Sequence, residues 1–244
     1  MEVKIDARPL DTALSPAPVP AAWIANDRLP VGATVLTGLA GLPCDHRTLA
    51  AVAASLVADV AGKGEVFGAS ASGAGVLYLV LGAKGAARTA RALAAAVPGT
   101  VSEDVLFAAP AAKLGPSLAR ALEAELSEPD APSLVIIDGA HAGLEGRTTL
   151  AQAVSALSRV ASVHRAAVVI LVPLTLKNRM DVKSPATGVM PAADAVWEIY
   201  DAQPSRARCV CTHRAGASGF DVPLAAPSRG TPPAARARCQ PKSD

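Results

Sequence analysis

Short apolar runs alternate along this chain with alanine-rich stretches of helical periodicity. Ala33–Leu39 is the first run that reads as a buried strand. Asp45 is placed to cap a helix from His46 to about Ala61, closed by Gly62. A Gly/Ser/Ala-rich stretch, Gly68–Gly75, leads into a second strand, Val76–Leu81. Ala86–Ala96 reads as a helix, Val105–Ala109 as a short strand, and Pro116–Glu128 as an amphipathic helix with acidic residues toward its end. Ser133–Asp138 is a third strong strand, Thr148–His164 a helix, and Ala166–Val172 another strand. After a polar loop at 177–187 come a strand at Ala195–Tyr200 and the run Arg206–Arg214. Phe220–Leu224 would return from that run as a hairpin across Gly216 and Gly219. Such alternation predicts one doubly wound α/β domain: a mainly parallel sheet with helices on both faces and an antiparallel C-terminal edge hairpin. The domain would occupy residues 21–226, after a stiff Pro-rich lead-in at 1–20 and before a basic, disordered tail at 227–244.

Composition narrows the function classes. With 51% hydrophobic, 18% charged and 3% aromatic residues, the core must be built from alanine, valine and leucine, as in a parallel sheet covered on both faces. A formal net charge of +2 does not by itself argue for nucleic acid, and so few aromatics leave little surface on which bases could stack. No run reaches the ~18 uninterrupted apolar residues of a membrane span. The first residues carry no basic-then-apolar leader, and four cysteines in 244 residues do not make a disulfide framework. A cytoplasmic protein is expected.

Residues 41–48, Gly-Leu-Pro-Cys-Asp-His-Arg-Thr, lie between the first strand and the first helix. They have the position and spacing of the phosphate-binding loop G-x-x-x-x-G-K-[ST], with two of its four specified residues changed. Gly41 and Thr48 match. His46 replaces the second glycine and Arg47 the lysine.

Other landmarks join this loop in order. Trp23 with Leu29-Pro30-Val31-Gly32 precedes the first strand, Val76–Leu81 forms the second, and Leu134-Val135-Ile136-Ile137-Asp138 ends in an acid. Thr212-His213-Arg214-Ala215-Gly216-Ala217-Ser218-Gly219 is similar to the helicase pattern K-x-R-x-G-x-[ST]-G. Over roughly residues 20–226 the chain resembles the RecA-like ATPases of the RepA-like plasmid-replication helicase group, relatives of replicative hexameric helicases. The resemblance implies a RecA-like sheet, a homo- or hetero-oligomer, and ATP with magnesium at the loop. It makes Asp138 the Walker B-like residue that orients magnesium, and Arg214 a residue able to reach a neighbouring subunit's nucleotide.

The departures from that pattern bear on catalysis. Pro43 removes one backbone N–H from the cradle, and His46 puts an imidazole where the phosphates need open space. Arg47 keeps the positive charge without the compact ammonium. Asp45 adds a carboxylate to an anion site, where like charges ~4 Å apart repel by roughly 4 kcal/mol at an effective dielectric near 20. The second strand ends Leu81-Gly82-Ala83, where the family places its catalytic glutamate, and Thr212 stands where the helicase pattern has lysine. ATP hydrolysis is therefore not expected, and no cofactor is expected.

Competing readings attach to the remaining candidates. Asp138 can end a strand and bind a loop N–H, Thr48 can be an ordinary first-turn residue, and Arg214 can be a solvated hairpin arginine. His141 reads as a loop histidine, and nothing places Glu145. Cys209, Cys211 and His213 fall on one face of a strand. The spacing is wrong for zinc and a fourth ligand is missing, so small core residues are the simpler reading and no metal is expected. Arg229, Arg236, Arg238 and Lys242 in the tail could touch nucleic acid or lie solvated. Three functions follow. The first is a catalytically degenerate RecA-like accessory or scaffold in DNA replication, recombination or repair, of plasmid or phage kind. The second is an active, unconventional ATPase or helicase subunit in which Arg47 does the lysine's work. The third is a protein-interaction module of the mutagenesis or cell-division kind that binds no DNA.

Overall fold

The structure, a computed structural model, describes residues 23–38, 46–72, 75–82, 86–97, 104–139, 143–173, 189, 191–203, 205–213 and 216–224. A short antiparallel pair, β1 (Trp23–Ala25) and β2 (Leu29–Pro30), precedes β3 (Gly32–Gly38) and helix α1 (His46–Lys63). A second small hairpin, β4 (Glu65–Val66) and β5 (Ala69–Ser70), leads to β6 (Val76–Val80), α2 (Ala86–Ala96) and β7 (Val105–Ala108). There follow α3 (Pro116–Leu126), β8 (Leu134–Asp138), α4 (Leu150–Val163) and β9 (Ala167–Val172). The last three strands are β10 (Ala195–Gln203), β11 (Arg206–His213) and β12 (Gly216–Pro223).

Among the described residues eight strands form one sheet in the order β12-β11-β10-β3-β9-β8-β6-β7. Pairings from β10 through β7 are parallel, and β10-β11 and β11-β12 are antiparallel. This is the doubly wound α/β arrangement that the alternation of elements predicts, with its antiparallel hairpin at one edge.

The strand period of two divides the core. Leu36, Tyr78, Ile136, Val169 and Trp197 face a layer that includes Leu49, Val52 and Leu56 of α1. Val35, Leu79, Ile137, Ile170 and Val196 face the opposite layer, with Leu118 and Leu122 of α3 and Val154 and Leu157 of α4. Every residue of β3, β8 and β9 is buried, as expected of strands covered on both faces.

Some boundaries differ from expectation. Helix α1 runs through Gly62 and ends at Lys63, and Gly64, left-handed at φ 63°, closes it with its N–H on the Val60 carbonyl at 3.1 Å. Gly216 and Gly219 are not the crossing point of the C-terminal hairpin but lie within β12, opposite His213 and Val210. The two small hairpins carried no signal because two- and three-residue strands are too short to show a period. The β4-β5 turn uses Phe67 and Gly68, both at positive φ (48° and 86°), the geometry of a two-residue turn that matches strand twist. Phe67 is held there by ring packing on Phe220 and Trp197, with centroids 5.6 and 5.9 Å away. No helix among the described residues is long and apolar enough to cross a membrane.

Candidate functional site

In an open parallel sheet the carboxyl ends of the strands, where connections diverge, form the natural crevice. From β3 the chain crosses by way of α1 past β9 and β8 to reach β6. Helix α1 therefore begins near the carboxyl end of β8, and this route brings His46 to Asp138, 92 residues later.

Asp138 is fully buried. Its Oδ1 lies 2.5 Å from His46 Nε2, and its Oδ2 accepts a longer hydrogen bond from the Tyr78 hydroxyl, at 3.4 Å. A carboxylate taken out of water needs such partners. A carboxylate only accepts hydrogen bonds, so His46 Nε2 is the donor in this pair. Burial, reinforced by the adjacent Asp138 charge, drives the Tyr78 hydroxyl far above its ordinary pKa, so it remains a donor. Sequence reading overlooked Tyr78. The available signal was a tyrosine in an otherwise aliphatic strand, whose hydroxyl must find a partner when buried.

This arrangement bears directly on a divalent cation. Magnesium takes oxygen ligands at ~2.0–2.1 Å in a near-ideal octahedron. Both oxygens of Asp138 are already engaged, one by a nitrogen donor that the ion would have to expel. Arg47 is exposed and Thr48 half-buried in the first turn of α1. Gly41, Pro43 and Asp45 of the loop lie outside the described residues, as do His141, Arg214 and the tail basics. At the end of β6, Leu81 is buried and donates its N–H to the Asp138 carbonyl at 2.7 Å. Gly82, at φ 85°, donates to the Pro110 carbonyl at 3.1 Å. The strand end is thus closed by backbone bonds, and neither position supplies a carboxylate.

Glu145, which the sequence could not place, belongs to α3 rather than to the crevice. Its Oε2 accepts from the Ser117 N–H at 2.8 Å and its Oε1 from the Ser117 hydroxyl at 2.5 Å. These bonds, the hydroxyl first, hold its carboxyl below the usual glutamate range. It serves as the cap that Gly115, lacking a side chain, cannot provide. A Cβ on Gly115 would come within 2.5 Å of Glu145 Cβ.

Cys209 and Cys211 are buried in the sheet core beside Ala207. Cys211 Sγ donates to the Arg28 carbonyl at 3.5 Å, and burial pushes its thiol up to about 11. Among the described residues no group of three or more His, Cys, Asp or Glu side chains could hold a metal.

No protein-family model matches this chain, and no curated protein matches its sequence. Among solved structures, the crystal structure of the RadB recombinase is similar over 76% of this chain and 82% of that chain, with a TM-score of 0.45 and 16% sequence identity.

Proposed function

We propose that this chain is a catalytically degenerate RecA-like protein, an accessory or scaffold subunit in DNA replication, recombination or repair rather than an ATP hydrolase. The observation that carries this reading is the bond between His46 and Asp138. The imidazole that replaces the loop's second glycine binds the very carboxylate that would orient magnesium. Nucleotide binding would have to break a buried hydrogen bond to a charged group, worth about 1.5–3 kcal/mol, before any metal contact formed. The altered loop, with Pro43 and Arg47, and the carboxylate-free end of β6 support the same conclusion. Motif order from Trp23 to Gly219 supports the RecA-like assignment. On this reading Arg214 acts in trans on an active partner's nucleotide, where an arginine stabilises phosphoryl transfer. The protein works in an oligomer with DNA-processing proteins of the cytoplasm. Titration with a fluorescent ATP analogue and magnesium tests the proposal. No saturation at micromolar analogue is expected; micromolar binding with turnover overturns it.

A protein-interaction module without DNA affinity is the second reading, favoured by one feature. Among the described residues edge strand β7 pairs only with β6, and it exposes Leu106 (49%) and Phe107 (38%), an apolar edge of the kind that recruits another chain. Binding to single- and double-stranded DNA at two salt concentrations separates the two readings. A steep salt slope supports the DNA-linked role, and no binding at either salt supports the module.

A further inference from the structure

A cleft of about 470 Å³ opens between α1 and α2, on the sheet face that carries Tyr78. One wall is Arg47, Ala51 and Ala54 of α1; the other is Arg88, Ala92 and Ala95 of α2. Each set has the spacing i, i+4, i+7, so each wall is a single helical face headed by an arginine. Helix α1 follows β3 and α2 follows β6, strands that run parallel in one sheet, and both return against it, so they run in the same direction. The two arginines, each in the first turn of its helix, therefore stand at the same end of the cleft. The N-terminal ends of the helix dipoles add positive potential there. Among the described residues none that lines the cleft is acidic, and neither Arg47 nor Arg88 has an ion-pair partner. Beyond the arginines the walls are mostly alanine methyls, with Ser55, Thr89 and Leu93 among them, and they leave room because alanine is small.

We infer that this cleft binds an elongated apolar molecule with one anionic head, a carboxylate or phosphate ester on an aliphatic or aromatic body. The volume lies in the ~300–1,000 Å³ range of small-ligand sites. From Arg47 to Ser55 the α1 wall is about 12 Å long at ~1.5 Å per residue. That is too short for a protein partner, which needs ~800 Å² on each side for a stable interface. The cationic end receives the head, and the alanine trough receives the body. The site shares Arg47 with the altered loop but uses neither Asp138 nor a metal.

Isothermal titration with decanoate tests this, with decyltrimethylammonium as the probe of reversed charge. Decanoate is expected to bind at least about tenfold more tightly than the cation. Arg88→Glu should remove that preference. Ala92→Phe, which fills the trough from an exposed position, should abolish binding while circular dichroism stays unchanged; Ala95→Phe provides the same block one turn on. Failure of decanoate to bind, equal binding of the two probes, or full affinity in both phenylalanine variants overturns the inference. A nucleotide that binds only with magnesium, and equally well in Ala92→Phe, would instead sink the pseudo-ATPase reading and leave this one standing.

Discussion

Gly32 faces the carboxylate of Asp194 so closely that a Cβ on it would lie 2.1 Å from Asp194 Oδ2. That same oxygen accepts the Ala33 N–H at 2.8 Å and the Ser158 hydroxyl at 2.6 Å, tying the start of β3 to α4 and to the residue before β10. The strand that leads into the altered loop is thus anchored at its amino end by one acid, which only glycine admits.

Gly32→Ala is expected to destabilise the protein by about 3 kcal/mol or more. It combines a strained left-handed backbone at φ 113° with displacement of a hydrogen-bonded carboxylate. Gly64→Ala, at φ 63° with nothing within 4 Å, should cost only about 1–2 kcal/mol. Urea unfolding of both variants checks this, and equal losses would refute the role of Asp194.

His46→Ala leaves Asp138 buried with only the longer Tyr78 bond, and a loss of about 1–3 kcal/mol follows. Asp138→Asn combined with His46→Ala should lose clearly less than the sum of the single changes. A double-mutant cycle gives the coupling, expected at about 0.5–3 kcal/mol. Strict additivity would mean the pair does not hold the crevice together.

Glu145→Gln should weaken α3 in a pH-dependent way. The folded-state pKa of Glu145 is lowered, so its contribution is complete above the ordinary glutamate value of about 4.3 and is lost as pH falls through the lowered value. Thermal unfolding of wild type and variant should therefore differ at pH 7 and converge in acid. A constant difference across that range would assign the effect to packing instead.

Thr34, in β3, buries a hydroxyl with no hydrogen-bond partner among the described residues. Thr34→Val keeps the shape and removes the orphaned polar atom, so stability should hold or rise by about 1 kcal/mol. A loss of more than 1 kcal/mol in chemical denaturation would show that the hydroxyl is satisfied in solution.

Much of the architecture was legible because it is written in local periods. The helix expected at Ala86–Ala96 has those bounds, and β8 and β9 begin one residue after their expected starts. Apolar runs with no polar alternation mark strands covered on both faces, and β8 (up to Asp138) and β9 keep that pattern. Strand β10 runs on to Gln203, past the expected Tyr200, because a register shift between Ile199 and Asp201 lets a polar segment continue pairing with β11. Cross-strand hydrogen bonds hold those residues, and no hydrophobic pattern announces them.

The sequence alone determined the order of the main-sheet strands and the helices, the changed residues of the loop, and the acid at the end of β8, since each is a property of neighbouring positions. Tertiary structure alone decided that His46 would sit on Asp138, that Glu145 would cap α3, and that two alanine faces would leave a cleft with both arginines at one end. Those outcomes depend on which strand lies beside which and on where each crossover helix begins. Loop closure brings residues tens of positions apart into hydrogen-bond range, and no local period encodes it.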